Sequence, residues 1–262
     1  MEFQIKKAVK AGNSSAVILP RTWLNKEVRV ELVKKKPEEI LKDVLEILKK
    51  NIPLESIMGI YLAGSYARGE EDENSDIDIL IVTDNIDKEM IKEGLYSILI
   101  ISYQLVNQKL DRDLFPVGQM MREARPLING GLIEDLEIEV TKKNVKWYLD
   151  TTKEKLDIIK EYIDDAKKNK KCLQDKIAYT LILRIRTLEI IKKIMQNKDY
   201  SKKEFIKLIR NISNGNTAYE RYLASKNNQK EKNKLTVKKA ERLYDYLEKD
   251  LGKVKKMLSR KA

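Results

Sequence analysis

Histidine is absent from this 262-residue chain. That absence removes the side chain titrating nearest neutral pH, and with it imidazole-based Ser and Cys triads, His-ligated zinc and any ribonuclease that needs a histidine. A single cysteine, Cys172, allows neither an intrachain disulfide nor a cysteine-rich metal site. No run of 18 apolar residues and no leader-like segment occurs, so the chain is expected to be soluble and cytoplasmic. Whatever chemistry the chain carries must run on carboxylates, hydroxyls, Lys and Arg, with a hard metal where one is needed. With 42% hydrophobic and 36% charged residues, a packed core is expected rather than disorder.

The net charge of +12 is unevenly distributed. Residues 1–36 carry 9 basic and 3 acidic side chains, residues 37–144 carry 12 and 22, and residues 145–262 carry 32 and 16. These cuts set three expected domains, 1–36, 37–144 and 145–262, with basic ends suited to anions around a centre suited to cations. Lysines on solvated helical faces account for part of the excess. No internal repeat is visible.

In the first segment Phe3-Gln4-Ile5 begins an alternating stretch, Val17-Ile18-Leu19 is a short apolar run and Glu27–Leu32 alternates strictly, which predicts half-buried strands. Gly12-Asn13-Ser14-Ser15 reads as a turn, and Pro20 is placed to open a helical turn. A segment this small cannot enclose a core of its own, so it is expected to dimerise or dock. The order strand, Gly-Asn-Ser, apolar strand, Pro-Arg-x-Trp-Leu and Val-x-Val strand resembles the SpoVT/AbrB swapped-hairpin domain. The resemblance covers about 33 residues and implies an intertwined homodimer. It also implies a DNA-facing set of Lys7, Lys10, Asn13, Ser14 and Arg21, with Val17, Leu19, Trp23, Val28 and Val30 as core. Dimerisation without DNA binding is the alternative.

In the middle segment Pro37-Glu38-Glu39 opens a helix with acids in its first turn, and Ile57–Leu62 reads as a buried strand running into Gly64-Ser65-Tyr66-Ala67-Arg68-Gly69. After a polar loop, Ser75-Asp76-Ile77-Asp78 leads into the apolar run Ile79–Val82. In a strand, positions 76 and 78 share a face, roughly 7 Å apart at about 3.3 Å per residue. Two like charges at the mouth of an apolar strand are best explained by a cation, and oxygen ligands select Mg²⁺ or Mn²⁺. A Gly-Ser turn offers N–H groups and a hydroxyl to phosphate, with Arg68 as a charge partner.

Gly64-Ser65-x-Ala67-Arg68-Gly69 followed by Ser75-Asp76-x-Asp78 resembles the signature of the DNA polymerase beta superfamily, within it the minimal nucleotidyltransferases. The resemblance implies a mixed sheet flanked by helices, with Gly64 and Ser65 on the triphosphate, Arg68 near the phosphates and Asp76 and Asp78 on two Mg²⁺ ions. Ser75 is either a nucleotide contact or an ordinary turn residue. The implied reaction is attack of an acceptor hydroxyl on the α-phosphate of a nucleoside triphosphate, releasing pyrophosphate. Family members usually carry a third acid on a later strand. Here that strand is expected within Ile98–Val106, where Gln104 takes the acid's place; Gln cannot accept a proton at neutral pH. Asp111 and Asp113 are the possible substitutes.

In the third segment, three- and four-residue apolar steps predict helices over 144–169, 173–195, 217–224 and 236–258, and Ser201-Lys202-Lys203-Glu204 is a capping box opening another. Such a bundle is similar to the helical partners of this superfamily, HEPN-like ones included, but the HEPN ribonuclease motif needs a histidine. Lys192, Lys193, Lys202, Lys203, Lys207 and Arg210 could line a nucleic-acid groove. Arg184 and Arg186 cannot share a face, so one of them could point at the cleft, with a buried ion pair to an acidic neighbour as the alternative.

The expected whole is an α+β multidomain protein: a small N-terminal β element for dimerisation or DNA binding, a mixed-sheet nucleotidyltransferase domain and a C-terminal all-α helical bundle. Its partners would be a nucleoside triphosphate, DNA and a protein, RNA or small-molecule acceptor. The alternative function is a catalytically impaired, nucleotide-sensing transcriptional regulator or antitoxin-like protein.

Overall fold

The computed structural model describes residues 4, 6, 8–30, 35–72, 75–170, 172–227 and 235–260. The chain divides into two compact units, residues 1–46 and 47–262.

In the first unit, strands β1 (Val9–Ala11) and β2 (Ser14–Ala16) pair antiparallel around Gly12-Asn13, with Gly12 at φ +61°. That φ is open to glycine at no steric cost, which is why the turn falls there. A 3₁₀ turn, Arg21–Trp23, follows Pro20. The segment Glu27–Val30 forms no strand, against the expectation of one over Glu27–Leu32. Val28 and Val30, expected in a core, are 43% and 68% exposed. A single copy of so short a segment has too little apolar surface to enclose them. Lys7, Phe3, Ile5, Glu31 and Leu32 lie outside the described residues. Helix α1 (Pro37–Lys49) begins as its Pro and first-turn acids predict, with Ile40, Val44, Ile47 and Leu48 buried.

The second unit holds a five-stranded mixed sheet and a bundle of helices. Strands β3 (Ile57–Ala63), β4 (Ile77–Thr83), β5 (Lys88–Glu93), β6 (Tyr96–Ser102) and β7 (Arg125–Ile128) take the order β5-β6-β4-β3-β7. β4 and β6 are parallel, and the other neighbours are antiparallel. β3, β4 and β6 are nearly all apolar because both of their faces are covered. The edge strand β5 is mostly exposed and carries Lys88, Glu89, Lys92 and Glu93, charges that discourage pairing with another chain.

Between the strands lie α2 (Gly64–Arg68), α3 (Tyr103–Arg112) and α4 (Val117–Glu123). After β7 come α5 (Gly131–Glu134), α6 (Lys142–Lys168), α7 (Asp175–Met195), α8 (Lys202–Ser213), α9 (Thr217–Lys226) and α10 (Val237–Arg260). The start of α6 is fixed by a capping box in which Asn144 N–H donates to Thr141 Oγ1 and Thr141 N–H to Asn144 Oδ1. Tyr61, Ala63, Leu80, Val82 and Ile101 of the sheet share one continuous core with Leu149, Leu181, Ile185, Leu243 and Leu251 of the bundle. In a strand, alternate residues share a face, so Asp78 lies on the same helix-covered face as Leu80 and Val82. Among the described residues no helix is long and apolar enough to cross a membrane.

Candidate active site

β3 ends at Ala63, and the chain turns at once into α2 through Gly64, whose φ is +65°. The glycine is required twice over. Its backbone conformation disfavours any side chain, and a Cβ there would stand 2.0 Å from Asp78 Oδ2. The cause of this close approach is sheet register: Ala63 pairs with Asp78 across β3 and β4, so the turn leaves the sheet directly over the aspartate. Asp76 precedes β4 and is exposed, while Asp78 is half-buried. Burial, then the charges of Asp76 and Glu123, raise the pKa of Asp78, with Lys226 and Arg68 acting in the opposite sense. A carboxylate set against two others is a seat that a hard cation would relieve, so the donor set fits Mg²⁺ or Mn²⁺. Among the described residues, however, no three acidic side chains already converge as a metal site.

Arg68, on the last turn of α2, is bracketed by two acids. Its Nε donates to Glu70 Oε2 at 3.0 Å and its Nη1 to Glu123 Oε2. Glu123, at the end of α4, also accepts the Gly64 N–H at 3.0 Å through Oε1. Glu70 in turn accepts from Ser201 Oγ at 2.7 Å and from the Lys202 N–H at 2.8 Å, so it caps the start of α8. Burial works against the Glu70 charge, but these donors and Arg68 overcome it and bring its pKa down to about 2. Through this one carboxylate the loop after α2 is fastened to the helical bundle.

A cleft of about 450 Å³ opens between the sheet and the bundle. Gly64, Ser65, Arg68, Ser75, Asp76 and Asp78 all line it, so six of the residues singled out from sequence are brought to one cavity. Ser75 also accepts the Asp72 N–H at 2.8 Å and donates to Asp72 Oδ1, as a turn residue does. The wall contributed by the bundle is cationic and aromatic: Arg186, Lys202 and Lys226 with Tyr200, Tyr219 and Tyr222. Burial opposes the charge of Arg186, while the hydroxyls of Tyr200 and Tyr222 raise its pKa. The Tyr200 ring is within cation–π reach of two guanidiniums, Arg68 at 5.4 Å and Arg186 at 5.5 Å from its centroid. Arg184 points elsewhere, donating to Thr151 Oγ1 at 2.9 Å.

Gln104 is not part of this cavity. The strand expected over Ile98–Val106 stops at Ser102, whose hydroxyl accepts the Leu105 N–H at 3.2 Å and so caps α3, leaving Gln104 exposed on that helix. The residue paired with Asp78 on β6 is Ser97, which is buried. Asp111 is ion-paired with Lys143, and Asp113 with Lys109 and the Tyr148 hydroxyl; neither lines the cleft. Of the basic groove expected on the bundle, Lys192 is engaged with Asp250 and Glu189, Lys193 with Glu204 and Lys202 with Asp72. Glu70, Glu123, Arg186 and Tyr200 were not assigned to the site from sequence. Glu123 meets Arg68 across 55 residues and Glu70 meets Lys202 across 132, and only the Arg184/Arg186 spacing gave any warning of one of the four.

Residues 41–208, well over half the chain, match the family described as the nucleotidyltransferase domain. The chain belongs to this family. No curated protein matches it in sequence. Among solved structures it is similar to the spectinomycin adenyltransferase AAD(9) from Enterococcus faecialis, solved with ATP and spectinomycin. The two are 15% identical with a TM-score of 0.44, over 82% of this chain and 99% of the other. It is also similar to a nucleotidyltransferase-like protein from Exiguobacterium sibiricum (10% identity, TM-score 0.37, over 82% of this chain and 75% of that one). A toxin-antitoxin protein solved with AMP-PNP is 19% identical with a TM-score of 0.25, over 46% of this chain and 96% of that one.

Proposed function

We propose that the protein transfers a nucleoside monophosphate from a nucleoside triphosphate to an acceptor hydroxyl, releasing pyrophosphate. The observation that carries this reading is the apposition of Gly64-Ser65 and Asp78 in one cleft, so close that only a glycine fits at position 64. Asp76 and Asp78 would hold the divalent cation. Bound there, Mg²⁺ or Mn²⁺ supplies the positive charge that the α-phosphate needs as its oxygens gain charge. Ser65, with Ser75 beside it, would hold the β- and γ-phosphates from the sheet side, and Arg186 and Lys226 from the helical side. The tyrosines of the helical wall shield the cleft from water and offer ring faces to a nucleobase. The acceptor, whether a protein hydroxyl, an RNA end or a small molecule, would enter between the walls.

The test is incubation with Mg²⁺ and each α-labelled triphosphate, scoring pyrophosphate and labelled product. Release by the wild type and its loss in Asp78→Asn is the expected result; no release with any triphosphate, together with no nucleotide binding, would overturn the reading. A second reading, a nucleotide-responsive regulator without turnover, is favoured by Ser97, which stands beside Asp78 where a carboxylate could have taken the acceptor's proton. Nucleotide binding without pyrophosphate release would select it. In either reading the β1–β2 hairpin, with Lys10, Asn13, Ser14 and Arg21 exposed, is proposed to dimerise and to contact DNA. Salt-insensitive binding, or binding unaltered by Lys10→Ala with Arg21→Ala, would refute the DNA contact.

A further inference from the structure

Arg68 and the Gly64 N–H are the donors a phosphate would meet at the turn after β3, and both are already taken. Glu123 accepts from each of them, its side chain only 10% exposed. Arg68 is further matched by Glu70, so one positive charge faces two negative ones before Asp76 and Asp78 are counted. A bare triphosphate approaching these donors therefore meets Glu123, Glu70, Asp76 and Asp78 around a single guanidinium, with the cations Arg186 and Lys226 on the opposite wall. Glu70 is pinned by the bundle as well, through Ser201 and Lys202, whereas Glu123 has no third donor among the hydrogen bonds of the described residues. Glu123 is the carboxylate free to exchange.

It also has somewhere to go. A second cavity, of about 410 Å³, adjoins the Arg68–Glu123 pair, and both residues line both cavities. Arg122, Arg125 and Lys198 stand on the walls of the second one, and the buried Nε of Arg122 has no hydrogen-bond partner. The cationic lining of that cavity would receive a displaced carboxylate.

We propose that Glu123 is a built-in stand-in for a phosphate group. In the free protein its carboxylate occupies Arg68 and the Gly64 N–H; a triphosphate binds by taking those donors, and the carboxylate turns into the adjoining basic cavity. Glu123 is thus a positioning residue that makes the site select nucleotide carrying its divalent cation, because the metal-free anion brings its full negative charge against Asp76, Asp78 and Glu123 with no cation to offset it. This inference rests on the nucleotide-binding reading of the cleft and adds to it a selection between metal-bound and free forms of the ligand.

The experiment is isothermal titration of the full chain with inorganic pyrophosphate and with ATP, each with and without Mg²⁺, in the wild type and in Glu123→Gln. The Gln side chain keeps an acceptor for the Gly64 N–H but drops the charge. The expected result is metal-free pyrophosphate binding about tenfold tighter in Glu123→Gln, one charge interaction being worth a factor of this order, with Mg²⁺-ATP affinity changed much less. A purely structural anchor would move the other way, weakening both ligands. Equal or weaker metal-free binding in Glu123→Gln, while the wild type binds Mg²⁺-ATP, would sink the inference and leave the nucleotide reading standing. Absence of any binding in the wild type sinks both. Should Glu123→Gln fail to fold, the amide resonance of Gly64 in the wild type decides: it moves on saturation with Mg²⁺-ATP if the carboxylate gives way to phosphate, and a Gly64 amide that stays put refutes the exchange.

Discussion

Gly64 and Gly69 flank the same short helix and share nearly the same backbone, φ +65° and +67°, but their surroundings differ. A Cβ at Gly69 would meet nothing within 4 Å, whereas one at Gly64 would meet Asp78 at Oδ2 (2.0 Å), Cγ (2.9 Å) and Cβ (3.1 Å). Gly69→Ala therefore carries only the cost of a left-handed alanine, about 1–2 kcal/mol. Gly64→Ala carries that cost and must also drive the Asp78 carboxylate back by about 1.4 Å to reach an ordinary contact, and a displacement of about 1 Å already costs a catalytic group on the order of 10²-fold in rate. Denaturant unfolding and pyrophosphate release, measured on both variants, separate the two effects. The expected pattern is a larger loss of stability in Gly64→Ala than in Gly69→Ala, with activity near wild type in Gly69→Ala and a loss of about 10²-fold in Gly64→Ala. Equal activities in the two alanine variants would refute the argument that Asp78 is seated against Gly64.

Three further outcomes follow from named groups. Asp78 has its pKa raised by burial and by Asp76 and Glu123, so the folded state holds its proton more firmly than the unfolded chain and this group's contribution to stability falls as pH rises; Asp78→Asn should raise the melting temperature at neutral pH while lowering pyrophosphate release by at least about 10²-fold, and a lowered melting temperature would contradict this. Glu70 is depressed from 4.5 to about 2, so its stabilising effect is full above 4.5 and is lost as pH falls toward 2; acid unfolding should show that loss in the wild type and not in Glu70→Gln. In the bundle, Asp250 is 2% exposed and accepts from Lys192 at 2.8 Å, so Asp250→Ala should cost about 3–5 kcal/mol in chemical denaturation, and less than about 1 kcal/mol would show that Glu189 alone suffices for Lys192.

Much of the fold was legible because short-range signals dominate it. The apolar run of β3, the acid-then-apolar pattern of β4 and the three- and four-residue steps of α6, α7 and α10 lie within a few residues of the observed elements. The cluster of Gly64, Ser65, Asp76 and Asp78 was legible because glycine at a strand end and two acids at alternate positions each have a local physical reason. Gln104 was misplaced because the apolar run continues past the strand, and only the Ser102 hydroxyl, capping α3, marks where helix begins. Expectation failed most at Val28 and Val30, where strict alternation describes a surface that one copy of the chain leaves uncovered. Glu123 and Glu70 were invisible for a different reason. Nothing in the residues around Glu123 indicates that it meets Arg68, since that contact depends on α4 returning beneath the turn after β3; Glu70 is only two residues from Arg68, but its capping of α8 depends on Ser201 and Lys202, 131 and 132 residues on.

The uneven charge of the sequence takes on a spatial meaning in the cleft. The acidic middle segment supplies Asp72, Asp76, Asp78 and Glu123 to one wall, and the basic third segment supplies Arg186, Lys202 and Lys226 to the other. Two such walls attract each other across the cleft, and the Lys202–Asp72 pair, at 2.5 Å, is one place where they touch. A cationic ligand alone would satisfy the acids and leave Arg186 and Lys226 facing it; a bare polyphosphate would satisfy the lysines and meet Asp78 and Glu123 head-on. A ligand that presents phosphates to one side and a divalent cation to the other satisfies both. The missing histidine fits the same account, since both walls are built from carboxylates, guanidiniums and ammonium groups.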